Sequence, residues 1–411
     1  MHKSLLMKSP LFLKIWLANL FSNFSTIFCE VAIIWYVVAT THSALQVGGV
    51  SLALLLGGTL GSALVGQVVD RFPTRDLMVK LGVFHLLILA LFTIFTLFNG
   101  NHLLAFYLVS FFFAAINAAY GVARSKSVPE VVGDEKIAEA NGLESVSASL
   151  VRIAAWGLGG AVISLFALEI SLIIAITGLG ISLWLISQSA WESKINASNA
   201  EKSGSVFEGW KIIKSHSNIG KVIASETFFY PLMGFLWVAF PIRVAEIGDG
   251  FLYGLHGVAF GIGYLITSLL LAVKLKSRDF RKKAWKFYVI GFLVYAIGNF
   301  FLTFTFSPWI FLLGLFISGL GTTYWSTFKM TIFHTTIETA QIGKVFSIFE
   351  TLMTAIQIPG FLLGGLLVDR FGTGPVMGMV TILQVISIGM LVWPTRQFKF
   401  RSRKALPPLN H

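Results

Sequence analysis

Long apolar runs, separated by short polar or basic stretches, recur along the whole chain of 411 residues. A run of about 20 apolar residues is long enough to cross a bilayer as a helix. The runs lack the alternation of polar and apolar positions that a membrane barrel needs, so helices are the better interpretation. We predict twelve spans, at 11–40, 44–69, 76–98, 102–124, 138–167, 169–190, 222–245, 250–275, 284–306, 308–333, 342–368 and 374–394.

The basic residues orient these spans. If the N-terminus lies inside, 28 of the 31 Lys and Arg residues fall on inner segments, and only Arg152, Arg243 and Arg370 do not. Arg152 lies within a span, and the other two are assigned to outer loops. Because basic residues are retained on the cytoplasmic side, both termini are predicted to be cytoplasmic. The inner segments are 1–14, 70–80, 124–136, 191–221, 274–286, 329–344 and 395–411.

Composition supports a membrane protein and excludes several other classes. The chain is 55% hydrophobic and 12% charged, whereas soluble proteins carry about 25% charged residues. The net charge of +12 is explained by topology, so no nucleic-acid partner is expected. The sequence has no phosphate-binding loop and no His/Cys/Asp cluster with metal spacing, and no arrangement of Ser, His and Asp stands out. We therefore expect neither an enzyme nor a cofactor.

The longest polar stretch, 191–221, divides the spans into two sets of six. The predicted organisation is an N-terminal half at 1–190, a cytoplasmic linker at 191–221, a C-terminal half at 222–394 and a basic tail at 395–411. Apolar residues at helical spacing in the linker indicate either a short amphipathic helix on the inner leaflet or a plain extension of span 7. The apolar members are Val206, Phe207, Trp210 and Ile213.

Small residues recur within the spans and suggest close helix packing. Pairs of glycines four residues apart let neighbouring helices approach closely. Spans 5 and 11 also align on a double glycine, which places Gln357 opposite Arg152 and indicates that the halves are diverged repeats. The glycine pairs are Gly57/Gly61, Gly257/Gly261 and Gly360/Gly364, and the double glycines are Gly159-Gly160 and Gly364-Gly365.

A loop between spans 2 and 3 resembles the signature Gly-x-x-x-Asp-Arg-x-Gly-Arg-Arg of the major facilitator superfamily. The matching residues are Gly66, Asp70, Arg71 and Arg75, whereas Pro73 and Thr74 depart from the pattern. The resemblance implies an all-α membrane protein with twelve transmembrane helices in two pseudo-symmetric six-helix halves. It also implies that the loop latches the halves in the outward-open state. The alternative is a solvated loop that only sets topology.

Two further stretches resemble the branch that includes bacterial macrolide-efflux proteins and siderophore exporters. They are Pro129-Glu-Val-Val with the following Ala140-Asn141, and Gly343-Lys-Val-Phe-Ser347 at the start of span 11. Many proton antiporters of the superfamily carry an Arg in span 4, but residues 103–123 contain none. A second Asp-Arg pair, Asp369-Arg370, lies outside by span count, so it is not interpreted as a second latch.

Glu30 is the leading candidate for proton coupling. Asn19, Asn23, Thr26 and Glu30 form one stripe of span 1, which is expected to face a polar cavity. An ionisable side chain in a span usually faces the bundle interior and often has a function. Bound cationic substrate and a proton would compete for its charge. The alternative is a structural carboxyl that is hydrogen-bonded to a neighbouring helix.

Glu226 in span 7 and Arg152 in span 5 are the other two coupling candidates. Glu226 lies near the inner end of its span, where Lys221 is an alternative, purely structural partner. Arg152 requires a partner carboxylate, for which Glu30, Glu226 and Glu350 are the candidates. It is interpreted as a charge relay or anion contact, or else as half of a buried structural pair.

The resemblance to the major facilitator superfamily implies that spans 1, 4, 7 and 10 line a cavity, which the residues there would make large and mostly apolar with a few polar anchors. Packing of helices and location in the interfacial aromatic belt are the alternatives for its aromatic residues. The candidate lining residues are Asn23, Thr26, Asn117, Tyr120, Tyr230, Trp237, Thr323 and Tyr324.

These features together predict a secondary transporter in a bacterial plasma membrane. Its expected activity is proton-coupled efflux of an amphiphilic small molecule by alternating access, and it is expected to act as a monomer in the lipid bilayer. A siderophore or metabolite exporter and a lysolipid translocator are alternative transport functions. A membrane sensor without transport activity is the least favoured alternative.

Overall fold

The computed structural model describes residues 9–99, 102–191, 212–213, 215–274, 283–304 and 307–392. Within these ranges the chain forms twelve long helices, two short 3₁₀ turns and no strand. The helices are α1 Pro10–Thr41, α2 Ala44–Val68, α3 Thr74–Asn99, α4 Leu103–Val132, α5 Ile137–Leu165, α6 Leu168–Ser187, α7 Ser217–Ile247, α8 Gly250–Lys274, α9 Ala284–Phe304, α10 Pro308–Thr336, α11 Thr339–Phe371 and α12 Thr373–Val392.

Length and composition make these helices suitable for a bilayer. Eleven of the described helices are long and apolar enough to cross a membrane, and α12 contributes a shorter apolar stretch, Thr373–Gly389. Large apolar side chains such as Leu64, Leu91, Phe98 and Trp309 are exposed. Soluble proteins rarely expose large contiguous apolar patches, so this surface is suited to lipid. The prediction of an all-α membrane protein is confirmed.

Local sequence explains where several helices begin and end. The Ser9 hydroxyl accepts the Phe12 amide at 3.3 Å, and Ser43 accepts the Gln46 amide at 3.4 Å, so both serines cap helix starts. His42 ends α1 in the left-handed conformation with φ 49°, and Gly372 ends α11 with φ 82°. These tight connections bring successive helices back across the bundle.

The helix connections define two ends of the bundle. We call the end where α1 begins the basic face, because Arg71, Arg75 and Lys126 also lie there, on the α2–α3 connection, the start of α3 and the end of α4. The other end is called the opposite face. It carries the connections α1–α2, α5–α6, α7–α8 and α11–α12.

Two basic residues that the sequence counted outside the membrane core are buried within helices. Lys329, assigned to an inner segment, lies within α10 and is 7% exposed. Arg243 is not in an outer loop: it lies within α7, is 3% exposed, and its Nη1 is 2.7 Å from Glu246 Oε2. A buried charge requires a partner, which Glu246 supplies for Arg243, and which Glu226 and the surrounding aromatic rings supply for Lys329.

The structure describes few residues of the predicted linker and none of the predicted tail. Most of 191–221 and all of 395–411 lie outside the described residues, so the predicted amphipathic helix and the boundaries of the halves stay predictions. Trp191 is described, and its indole N–H donates to Glu130 at 3.0 Å. Ile213 is described and buried in the core.

All three predicted glycine pairs lie at close helix crossings, which confirms their packing role. A Cβ added at Gly57 or Gly61 would lie 2.0 Å from the carbonyl oxygen of Phe111 or Ala115, so α2 and α4 touch backbone to backbone. The other two pairs meet α5 and α7: Gly257 meets Trp156, Gly261 meets Ile153, Gly360 meets Pro231 and Gly364 meets Phe235.

Replacement of Gly61 by alanine is expected to destabilise the bundle. The new methyl group would force α2 away from Ala115, and overpacking of this kind costs roughly 1–3 kcal/mol. Gly58→Ala is the matched control, because a Cβ at Gly58 meets nothing within 4 Å. In thermal unfolding of the detergent-solubilised protein, Gly61→Ala should lower the midpoint and Gly58→Ala should not. Equal midpoints would contradict the packing assignment.

Candidate functional site

Aromatic rings from α1, α5 and α8 meet around Tyr253, toward the opposite face. The Tyr253 ring stacks on Trp35 with centroids 5.3 Å apart and meets Trp156 edge-on at 5.3 Å. His256 lies 5.2 Å from Trp156. A Cβ at Gly257 would lie 2.2 Å from the Trp156 ring, so only glycine allows this approach. The rings therefore join the first six helices to the last six.

A cavity of about 120 Å³ lies beside these rings. Its walls come from α5, α7, α8, α9 and α10, and its aromatic members are Trp156, Trp237, Phe240, Tyr253, Phe260 and Tyr295. Arg152 is the charged residue of this lining. Sites for drug-sized ligands have volumes of roughly 300–1,000 Å³. In this state the cavity accommodates only part of such a molecule.

Glu30 on α1 lies within electrostatic range of Arg152, which lines this cavity. The Arg152 charge acts on the Glu30 carboxyl, and Glu30 also acts on the Tyr253 hydroxyl. Arg152 is exposed and Glu30 is half-buried. Among the described residues, no carboxylate oxygen lies within 4.0 Å of Arg152. Of the three partners predicted for Arg152, Glu30 is the one that the structure brings into electrostatic range.

The predicted polar stripe of α1 is anchored to neighbouring helices at two points. Asn19 is buried, and its amide donates to Glu144 of α5 at 3.1 Å. Thr26 is buried, and its hydroxyl donates to Asn117 of α4 at 3.3 Å. Asn23 and Glu30 are half-buried. The stripe therefore combines structural contacts at Asn19 and Thr26 with more accessible groups at the other two positions.

Glu226 lies in a second polar cluster, formed by α7, α9 and α10. Its side chain is fully buried. Its Oε1 accepts hydrogen bonds from Trp325 Nε1 at 2.7 Å and Tyr288 OH at 2.8 Å, and it lies 3.9 Å from Lys329 Nζ. The ion-pair partner seen here is thus Lys329 rather than the predicted Lys221.

Several predicted cavity residues take part in helix packing. Tyr120 is buried in a small cluster with Ile15, Ala18 and Ile186 near the basic face. The Thr323 hydroxyl donates to the Tyr264 carbonyl at 3.1 Å. Tyr324 is half-buried, and its ring stacks 6.0 Å from Phe328. Tyr230 is half-buried beside Lys329, and Trp237 lines the cavity.

The predicted latch loop contacts the first six helices in this structure. Val69–Arg71 form a 3₁₀ turn, and Gly66 and Arg71 are exposed. Arg75 donates to the carbonyls of Ser187 and Ser189 at the end of α6, where cations are favoured by the helix dipole. Asp70 is described only in its backbone, within the 3₁₀ turn. A latch across the halves therefore stays a prediction.

At the opposite face, α2 contacts α11 and α5 contacts α8. The Asp369 carboxylate accepts from the Ser43 hydroxyl at 2.8 Å and from the Ala44 and Leu45 amides at 2.6 and 3.0 Å. A Cβ at Gly365 would lie 2.5 Å from Leu45 Cα. Asp369, from the Asp-Arg pair that was not interpreted as a latch, thus joins the first six helices to the last six.

The α5–α8 crossing repeats this arrangement. A Cβ at Gly160 would lie 2.3 Å from Gly254 Cα, and the Ser164 hydroxyl donates to Asp249 at 3.5 Å. Gly160 and Gly365 are the second glycines of the two double glycines aligned in the sequence. Both sit where a helix of one set of six crosses a helix of the other.

Comparison with known proteins decides the family. A family model described as a transmembrane secretion effector matches residues 6–400, nearly the whole chain. The chain belongs to this family of the major facilitator superfamily. Such proteins are transporters rather than enzymes, and the chain is accordingly a multi-pass membrane transporter.

The relatives of this major facilitator protein are distant. It is 24% identical over 292 residues to an uncharacterized MFS-type transporter, YvqJ, of Bacillus subtilis (strain 168), covering 68% of each chain. It is 21% identical over 384 residues to macrolide efflux protein A of Streptococcus pyogenes, covering 88% of this chain and 90% of the relative. The crystal structure of nucleoside transporter NupG has a TM-score of 0.71 at 13% identity and covers 93% of this chain and 100% of that one, which shows the fold.

Sequence reasoning missed two parts of the site in this major facilitator protein. Lys329 was assigned to an inner segment although it falls within the predicted span 308–333, and Trp325 and Phe328 at helical spacing before it indicate a continuing helix. The aromatic cluster at Tyr253 and His256 was also missed. Its signal is the stretch Gly250–Gly257 at the start of α8, in which three glycines are interspersed with Phe251, Tyr253 and His256.

Proposed function

We propose that this transporter exports an amphiphilic small molecule from a bacterial cell in exchange for protons. It acts as a monomer in the plasma membrane, with both termini cytoplasmic and with two six-helix halves that alternate access to a central site. Glu30 carries the coupling proton, with Glu226 and Arg152 as the supporting charges. The relative named for macrolide efflux supports an outward direction for this chain.

The position of Glu30 supports this proposal best. The Glu30 carboxyl on α1 lies within electrostatic range of Arg152, the charged residue among the described residues that line the aromatic cavity, where helices of the first six meet helices of the last six. A proton added at Glu30 changes the charge balance with Arg152 at the junction that must open during transport. Proton binding and the opening of one face are thereby linked.

The contacts at the two faces support alternating access. Asp369 and the double glycines close the opposite face, whereas the Arg75 contacts on the basic face remain within the first six helices. With basic residues inside the cell, this state is closed outward. Export then requires the opposite face to open and the latch loop at Gly66, Asp70, Arg71 and Arg75 to engage across the halves.

The proposal is tested in everted membrane vesicles from cells that express the protein. An inward-acidic gradient should drive accumulation of fluorescent amphiphiles such as Hoechst 33342, and a protonophore should abolish it. Vesicles without the protein are the control. Accumulation that persists after the gradient is collapsed would rule out proton coupling, and no accumulation of any amphiphile would rule out the proposed substrate class.

A further inference from the structure

The Lys329 ammonium group lies within a cage of aromatic rings. Its Nζ is 4.7 Å from the Trp325 ring centroid, 5.0 Å from Phe349 and 5.6 Å from Tyr230. A cation within about 6 Å of a ring face is attracted by the negative potential of that face. The rings come from α7, α10 and α11, so three helices of the last six surround one positive charge.

A preorganised carboxylate completes the cage. Trp325 and Tyr288 donate to Glu226 Oε1, and the Tyr288 hydroxyl is itself 3.0 Å from the Ser225 hydroxyl. These bonds fix the direction of a fully buried side chain. The second oxygen of Glu226, Oε2, has no hydrogen-bond partner among the described residues. It is therefore free to accept one N–H from a ligand.

The cage is better suited to a substituted ammonium ion than to the Lys329 ammonium group that fills it. A lysine ammonium has three N–H donors. Among the described residues none of these reaches an acceptor within hydrogen-bond distance, and the nearest carboxylate oxygen, on Glu226, is 3.9 Å away. Several rings with one carboxylate and few close acceptors are the environment in which substituted ammonium groups are bound. A tertiary or quaternary ammonium leaves fewer donors unsatisfied than Lys329 does.

We propose that Glu226, Tyr230, Trp325 and Phe349 form a binding site for an organic ammonium ion, and that Lys329 fills this site when no ligand is present. The inference rests on the proposed function, because it assigns the exported amphiphile a cationic group. Lys329 has a flexible four-carbon stem and can withdraw as the ligand enters. Glu350 is exposed on α11 and acts electrostatically on Glu226, which places a second negative charge near the site.

The first test measures binding of benzyltrimethylammonium to the purified protein by titration calorimetry. Lys329→Met removes the internal competitor, so the Kd should fall by about tenfold relative to the wild type. Neopentylbenzene, the uncharged carbon isostere, should show no such gain. Adding Glu226→Gln to Lys329→Met should reverse the gain. In this double variant neither position 226 nor position 329 carries a charge, so no buried carboxylate is left without a cation. No gain in Lys329→Met, or an equal gain for the isostere, would overturn the proposal.

The second test uses the wild-type chain and does not depend on the variant folding. Benzyltrimethylammonium should displace Lys329 and increase its acetylation by a water-soluble amine-reactive ester several-fold, as followed by peptide mass spectrometry. Neopentylbenzene should leave labelling unchanged. Equal labelling with both compounds would overturn the site. Binding without any vesicle transport would refute the proposed function alone, and transport without displacement would refute the cage alone.

Discussion

Glu30→Gln is expected to reduce gradient-driven transport by about tenfold or more, which corresponds to roughly 1.4 kcal/mol of lost coupling. Glutamine has the size and hydrogen-bonding groups of the acid but cannot exchange a proton. Arg152 would lose the charge that now acts on it, and the junction at Tyr253 would no longer respond to pH. The measurement is the initial rate of amphiphile accumulation in everted vesicles under an imposed pH gradient.

Glu144→Gln provides a matched control for this prediction. Glu144 is a half-buried acid on α5, and it accepts a hydrogen bond from Asn19 that a glutamine oxygen can also accept. Its neutralisation should leave the gradient-driven rate unchanged. Exchange of labelled for unlabelled amphiphile at equal pH should persist in Glu30→Gln, because exchange needs no net proton movement. An unaltered gradient-driven rate in Glu30→Gln would remove Glu30 from the mechanism.

Asp369→Asn is expected to open the opposite face. The carboxylate now accepts three hydrogen bonds at the start of α2, where a negative charge is also favoured by the helix dipole. Asparagine keeps one acceptor and loses the charge, at a cost of roughly 1–2 kcal/mol. Such a cost changes a two-state population ratio by about 5- to 30-fold. The shift should therefore be visible as a change in the distribution of distances across that face.

Spin labels at Ile170 and Phe251 can report this change. Both side chains are exposed, and they lie at the starts of α6 and α8 on the opposite face. Cys29 is buried and is replaced by serine so that it does not react. In pulsed electron–electron double resonance, Asp369→Asn should increase the population with the longer distance between the two spin labels. Arg370→Gln is the neighbouring control and should match the parent. A distance distribution unchanged by Asp369→Asn would show that this contact does not hold the face closed.

The apolar periodicity predicts most of the fold, because spanning helices are defined by local length and composition alone. The packing role of the glycine pairs can also be predicted from the sequence. Gly57 and Gly61 lie one turn apart on one helix face, and in the structure both contact the backbone of α4. Arg75 is predicted to act in its loop, but the carbonyls to which it donates, on Ser187 and Ser189, lie over a hundred residues away and have no sequence signal.

The charged residues show where prediction from sequence ends. The sequence assigns Lys329 to an inner segment, because Tyr230, Phe349 and Glu226, which help to stabilise it, come from other helices. The same reasoning predicted a partner for Arg152 but left three acids open, since the choice depends on which helices cross at Tyr253. Asp369 was not interpreted as a latch because it lies outside by span count, and the α1–α2 connection that completes its contact is on another part of the chain.

The central claim is that amphiphile and proton move in opposite directions through one protein. Liposomes that contain the purified protein and a trapped pH-sensitive dye, with no initial pH gradient, test this claim most directly. A transported amphiphile added outside should enter through the protein while protons leave, so the interior should become alkaline, and Glu30→Gln should abolish this change. Entry of the amphiphile with no change of internal pH, or an equal change in Glu30→Gln, would contradict the account.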